Sequence, residues 1–160
     1  LKLFRTLYQN QEISSRMRPL GAGILGSHSS LAPREREILI DRACARCGCE
    51  YEWGVHVAVY GKAVELDRVQ LENTASEMVD PTLWSEREQV LLTLVDELNA
   101  SATLSDTTWE QVAANWSIAQ ILEMVIIVGW YHLTSFVANA VHVEQEAWAA
   151  HFPKTGKESV

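Results

Sequence analysis

Positive charge is scarce in this chain: 13 Lys and Arg stand against 21 Asp and Glu, for a formal net charge of -8. A nucleic-acid partner needs a basic footprint that neutralises phosphates, so that class of function is excluded. The same balance disfavours docking on an anionic membrane. Cysteine is also sparse, with three residues, all between Cys44 and Cys49. An odd, clustered set does not build a disulfide scaffold and fits a reducing, cytoplasmic setting. A zinc site drawn from Cys44, Cys47, Cys49 and His56 lacks the second ligand cluster that structural zinc sites take from a separate element, so no metal is expected. Nothing points to a cofactor.

Long uninterrupted apolar runs are missing as well. Leu1 to Asn10 has no apolar core of the kind a secretory signal carries. Met124 to Val143 is free of formal charge, but His132, Thr134, Ser135, Asn139 and His142 make it too polar for a lipid-facing span. It reads as a core helix with one side covered by a second subunit. Alternating strand patterns are almost absent, and the β-branched run Val125 to Val128 lies inside a longer helical pattern. The class is therefore all-α.

What is present is a series of helix signals within one domain spanning residues 1–160. Residues 1–32 read as a lead-in arm, a short helical segment followed by a loop through Gly21, Gly23, Gly26 and Ser27 to Ser30. Pro33 suits a first helical turn, and a helix follows from Arg34 to Cys47. Gly48 interrupts it and a second begins near Cys49. Asp67 with Gln70, Ser85 with Glu88, and Ser117 with Gln120 have capping-box spacing. They predict helices over Arg68–Met78, Glu86–Ala100 and Ile118–Ala149, with a shorter one at Asp106–Asn115, about six in all. Residues 151–160 read as a loose tail.

The chemistry concentrates around Cys49. On a helix that starts there, Cys49, Glu52 and His56 fall at i, i+3 and i+7 and share a face. In the preceding helix Glu37 shares a stripe with Ile40, Cys44 and Cys47. A carboxylate on an otherwise apolar stripe points inward and needs a partner, and His56 is the natural one. A buried Glu–His pair is what general acid–base chemistry uses. The helix N-terminus and His56 would lower the pKa of Cys49, while Glu50 and Glu52 would raise it. Cys44 and Cys47 read as core thiols on the inner stripe.

These residues resemble the carboxymuconolactone decarboxylase family, which includes the alkyl hydroperoxidase D-like enzymes. The resemblance rests on Arg34-Glu35-Arg36-Glu37 and Glu50-Tyr51-Glu52-Trp53-Gly54-Val55-His56. Further landmarks are Leu83-Trp84-Ser85-Glu86-Arg87-Glu88, Ser105 to Trp109, Val128-Gly129-Trp130-Tyr131 and Asn139-Ala140. It covers about residues 30–145. It implies an all-helical fold assembled as a trimer or hexamer. The peroxidase branch has a Cys-x-x-Cys pair, a downstream His and an upstream Glu. Position by position, these fall on Cys49, Glu52, His56 and Glu37. Glu52 stands where the second thiol belongs and cannot close a disulfide.

Three functional readings follow. The first is a lyase-type enzyme acting on a small acid or lactone, with Glu37, Glu52 and His56 as the acid–base set, Cys49 as wall, and Arg42 or Arg46 as a carboxylate clamp. The second is a thiol peroxidase with Cys49 as the reactive thiolate and Cys47 or an external thiol as resolver. The third is a non-catalytic oligomeric binding or stress module.

Overall fold

The computed structural model describes residues 1–154, and among them the regular elements are all helical. They are α1 (Lys2–Leu7), α2 (Gln11–Ile24), α3 (Pro33–Arg46), α4 (Glu50–Tyr60), α5 (Arg68–Thr74), α6 (Glu86–Ser101), α7 (Asp106–Asn115) and α8 (Ile118–Ala140), with a 3-10 turn at Pro81–Leu83. The capping boxes form as their spacing implies. Asp67, Ser85 and Ser117 each accept the backbone N–H three residues on, and Gln70, Glu88 and Gln120 reach back. Each cap contributes about 1 kcal/mol to its helix.

Helix α3 is the axis of the fold and packs against α4, α6 and α8. Every residue from Arg36 to Cys44 is buried. The helix is therefore not amphipathic, and its four charged residues in that stretch must find partners inside. Arg42 does so completely. Its guanidinium meets both Asp96 oxygens at 2.8 and 2.9 Å and donates to the carbonyls of Thr74, Ser76 and Glu77 at 2.9, 2.6 and 3.4 Å. Arg42 thereby caps the C-terminal end of α5. Arg46 also leans on Asp96, at 3.4 Å. Arg42 is therefore not available as a carboxylate clamp, which corrects that half of the expectation.

Four further differences from the sequence expectation have local causes. Among the described residues there are eight α-helices rather than about six, because the arm folds into α1 and α2. Leu3 is buried, its N–H donates to the Tyr51 hydroxyl at 3.0 Å, and Gly21 lies where an added Cβ would touch the Trp130 ring at 2.8 Å. Helix α5 stops at Thr74, whose carbonyl goes to Arg42. Helix α8 stops at Ala140 instead of Ala149, and His142 turns the chain with a φ of +52°. The segment that follows lies along α4: the Ala150 N–H donates to the Gly54 carbonyl at 3.0 Å, and the Gln145 amide donates to the carbonyls of Glu50 and Ala150. Gly54 permits this approach, since a Cβ there would stand 2.1 Å from the Ala150 oxygen. The start of the tail is anchored too, with Phe152 against the Trp53 ring at 5.1 Å and its N–H on Glu50 at 2.8 Å. The remainder of the expected loose tail, 155–160, lies outside the described residues.

Helix α8 is long and apolar enough to cross a membrane by length and composition. In the fold its inner face carries Tyr131, Thr134 and Ser135 against α3 and α4, while Leu122, Val125, Ile126, Leu133 and Phe136 are exposed.

Candidate acid–base site

Gly48 creates the site. Its φ of +59° lets the chain reverse between α3 and α4, and the Cys49 N–H closes back on the Cys44 carbonyl at 2.9 Å. The reversal lays α4 against α3 and brings His56 to Glu37. The imidazole Nδ1 is 2.8 Å from Glu37 Oε2. The other ring nitrogen, Nε2, is 3.0 Å from the Tyr131 hydroxyl on α8, and the two rings meet edge-on with centroids 5.0 Å apart. All three side chains are buried, with Glu37 1%, Tyr131 3% and His56 4% exposed. The surface-side neighbour of the imidazole is the half-buried Tyr60, 5.2 Å away between ring centroids.

The tautomer follows from the partners. A carboxylate only accepts, so Nδ1 carries a proton toward Glu37. Nε2 then accepts from the Tyr131 O–H when the imidazole is neutral and donates to the Tyr131 oxygen when it is charged. One proton added at the tyrosine end reverses a single hydrogen bond and leaves the Glu37 contact in place. That is the behaviour of a proton relay that ends on a hydroxyl.

Glu52 and Cys49 flank this chain of groups. Burial pushes the Glu52 carboxyl above its ordinary value, with His56 and the Thr134 hydroxyl pulling it back down in part. Cys49 is fully buried. Burial pushes its thiol up; the amides of Glu52 and Tyr51 and the Ser135 hydroxyl oppose that, and the Glu52 charge adds to it. The opposing influences read from sequence thus resolve upward, against thiolate formation. Cys47 is half-buried beside the same Ser135 hydroxyl, and its thiol is also raised, chiefly by burial. Cys44 is fully buried and raised further by the same cause. All three cysteines are free.

The structure therefore joins Glu37 to His56 and places Glu52 within reach of the imidazole's charge, while Cys49, at the head of α4, packs in a separate cluster with Leu3, Tyr51, Val55 and Ala138. Sequence reasoning missed Tyr131, Thr134, Ser135 and Asp41. The available signal was three inward polar side chains at i, i+3 and i+4 on an otherwise apolar α8. Among the described residues, the buried side-chain atoms without a hydrogen-bond partner are Arg36 Nε, Glu37 Oε1, Asp41 Oδ1 and Ser135 Oγ, all on α3 or α8. Unsatisfied buried polar atoms are costly and tend to be kept where function needs them.

The raised Glu52 carboxyl has a consequence for stability. Below its ordinary value of 4.5 both folded and unfolded chains hold the proton, so Glu52 contributes no pH dependence there. As pH rises past that point the unfolded chain ionises first, and stability falls until the folded carboxyl also ionises. Glu52→Gln removes this loss. Its urea midpoint relative to the parent is expected to climb with pH over the range just above that ordinary value. A flat difference across that range would contradict the burial argument.

No protein-family model matches the sequence, and no curated protein matches it. Solved structures do. An uncharacterized peroxidase-related protein from a Silicibacter species superposes with a TM-score of 0.75 at 17% identity, over 90% of this chain and 76% of its own. A protein of unknown function from Agrobacterium tumefaciens, described as a candidate antioxidant defence protein AhpD, gives 0.76 at 18%, over 86% of this chain and 93% of its own. The fold is the helical alkyl hydroperoxidase D-like fold.

Proposed function

We propose that this protein is a small-molecule enzyme of the carboxymuconolactone decarboxylase type, performing lyase-type proton-transfer chemistry on a small acid or lactone. One observation carries the reading: His56 is held at both ring nitrogens, by Glu37 and Tyr131, inside a nearly closed interior. Such a chain can take a proton from substrate carbon or oxygen at the Tyr131 hydroxyl and return it, with Glu37 stabilising the imidazolium between the two steps. Glu52 faces the same imidazole as a second carboxyl. Cys49 forms the wall; its raised thiol suits that role better than a nucleophile's. The three free thiols fit a reducing, cytoplasmic location.

The test is solvent-deuterium incorporation into a panel of enolisable acids and lactones, followed by proton NMR. The parent protein is expected to exchange at least one of them above buffer, and Tyr131→Phe to slow that exchange. No exchange across the panel would contradict the reading.

A second reading, thiol peroxidase, is favoured by the descriptions of both structural neighbours and by Cys47 and Cys49 both lying near Ser135. It predicts a sulfenate at Cys49, or a Cys47–Cys49 disulfide, within seconds of adding stoichiometric peroxide. Mass spectrometry of the intact and digested protein reads this out, and inertness of Cys49 rules against it.

The enzyme is proposed to work as a homo-oligomer, a trimer or hexamer, with no nucleic-acid or membrane partner. The supporting feature is the exposed apolar stripe of α8, Leu122, Val125, Ile126, Leu133 and Phe136. In a chain of net charge -8, a charge-free face is where identical copies can meet without repulsion. Light scattering at micromolar concentration is expected to give at least a trimer mass, and Phe136→Glu to shift it toward monomer. A monomeric parent would contradict this.

A further inference from the structure

Asp41 has no part in the chemistry above, yet it is placed directly behind it. It follows Glu37 by four residues on α3, so the two side chains stack on one helical face. Each is 1% exposed. Glu37 uses Oε2 for His56 and leaves Oε1 without a hydrogen-bond donor, while Asp41 leaves Oδ1 without a partner. The guanidinium nearest Glu37 is that of Arg36, with Nε 3.7 Å from Oε1, and this nitrogen itself makes no hydrogen bond. Asp41 forms no ion pair with any described residue. Two buried carboxyl groups one turn apart cannot both ionise cheaply without a cation between them.

We propose that Asp41 is a positioning residue that keeps its proton and donates it to Glu37 Oε1, making an acid–carboxylate pair behind His56. The arrangement satisfies both orphaned oxygens at once, since a protonated carboxyl offers one O–H donor and Glu37 Oε1 is an unfilled acceptor. Burial and the charge of Glu37 both push the Asp41 carboxyl well above its ordinary value, as the pair requires. The other titratable or charged groups near the pair are Arg36 and Cys44 on α3, Glu52 and His56 on α4, and Tyr131 on α8. The Arg36 Nε–H also faces Glu37 Oε1, but at 3.7 Å it lies beyond hydrogen-bond distance, which leaves a protonated Asp41 as the donor that could fill Oε1 without taking a proton from the relay.

The pair would set the strength of the relay. A hydrogen bond into Oε1 draws electron density from Glu37 and makes Oε2 a weaker acceptor for the His56 Nδ1–H. Loss of the donor would concentrate the charge on Oε2 and tighten its hold on the imidazole proton. This inference rests on the Glu37–His56 acid–base reading, but its test needs no substrate, so failure of one is distinguishable from failure of the other.

The test compares Asp41→Leu and Asp41→Asn by NMR of the His56 Nδ1–H proton and by infrared spectroscopy. Leucine fills the space without donating; asparagine keeps a donor, its amide, in place of the O–H. Asp41→Leu is expected to move the Nδ1–H resonance downfield, and Asp41→Asn to leave it near the parent position. A protonated-carboxyl infrared band present in the parent at neutral pH is expected to vanish in both. The proposal is overturned if leucine and asparagine shift the resonance equally, if neither shifts it, or if the parent lacks the band. Should Asp41→Leu fail to fold, the parent band and its loss in Asp41→Asn still decide.

Discussion

Replacing His56 with alanine is expected to slow the proton transfer by about a hundred- to ten-thousandfold, the usual contribution of a positioned general acid–base group. The fold should survive, because the substitution removes a ring at the inner edge of α4 and leaves Glu37 free to take the space or bind a water. The partner substitution sharpens the result. Cys49→Ser is expected to leave the deuterium exchange nearly unchanged, since the thiol is buried and disfavoured as a thiolate. A peroxidase would show the opposite dependence, with Cys49→Ser abolishing peroxide turnover. If His56→Ala instead unfolds the protein, the imidazole is a structural link between α3, α4 and α8. If both variants keep full activity, the chemistry is elsewhere.

Arg42→Leu is expected to give the largest loss of stability. The guanidinium serves Asp96 and three backbone carbonyls from 1% exposure. Leucine leaves the Thr74, Ser76 and Glu77 carbonyls without that donor and uncouples the end of α5 from α3. A buried carbonyl left without its donor costs about 1–3 kcal/mol, so losing the donor at these three sums to several kcal/mol. For a chain of this length that corresponds to a fall in Tm on the order of 10 °C. Thermal unfolding followed by circular dichroism measures it. Asp96 is partly exposed, so its lost partner adds little to the cost, and a fall below about 2 °C would mean that water replaces the arginine at the carbonyls.

The parts of this molecule that were legible from its residues are those set by local rules. The capping boxes at Asp67, Ser85 and Ser117 depend on neighbours three residues away and form as read. Glu37 could be matched to His56 because a carboxylate on an apolar stripe demands a partner. The missed features depend on contacts between distant segments. Tyr131 on an apolar helix is indistinguishable from packing until α8 is laid against His56. The arm beyond its short helical segment looked like a loop because of Gly21, Gly23 and Gly26, but Gly21 is where α2 comes against Trp130. Good helix formers follow Ala140, yet the helix ends there while the next segment is held on the backbone of Gly54. Arg42 resembled a substrate clamp because its partner, Asp96, lies 54 residues away.

The central claim is that His56 links Glu37 to Tyr131 as a relay. Its most direct test is the protonation pattern of the two imidazole nitrogens, read from long-range proton–nitrogen NMR correlations of the nitrogen-labelled protein at neutral pH. The relay requires Nδ1 to carry a proton in both the neutral and the charged ring. It also requires Glu37→Gln to perturb the Nδ1 signal, and Tyr131→Phe that of Nε2. A neutral ring protonated at Nε2 alone, or nitrogen shifts indifferent to both substitutions, would contradict it.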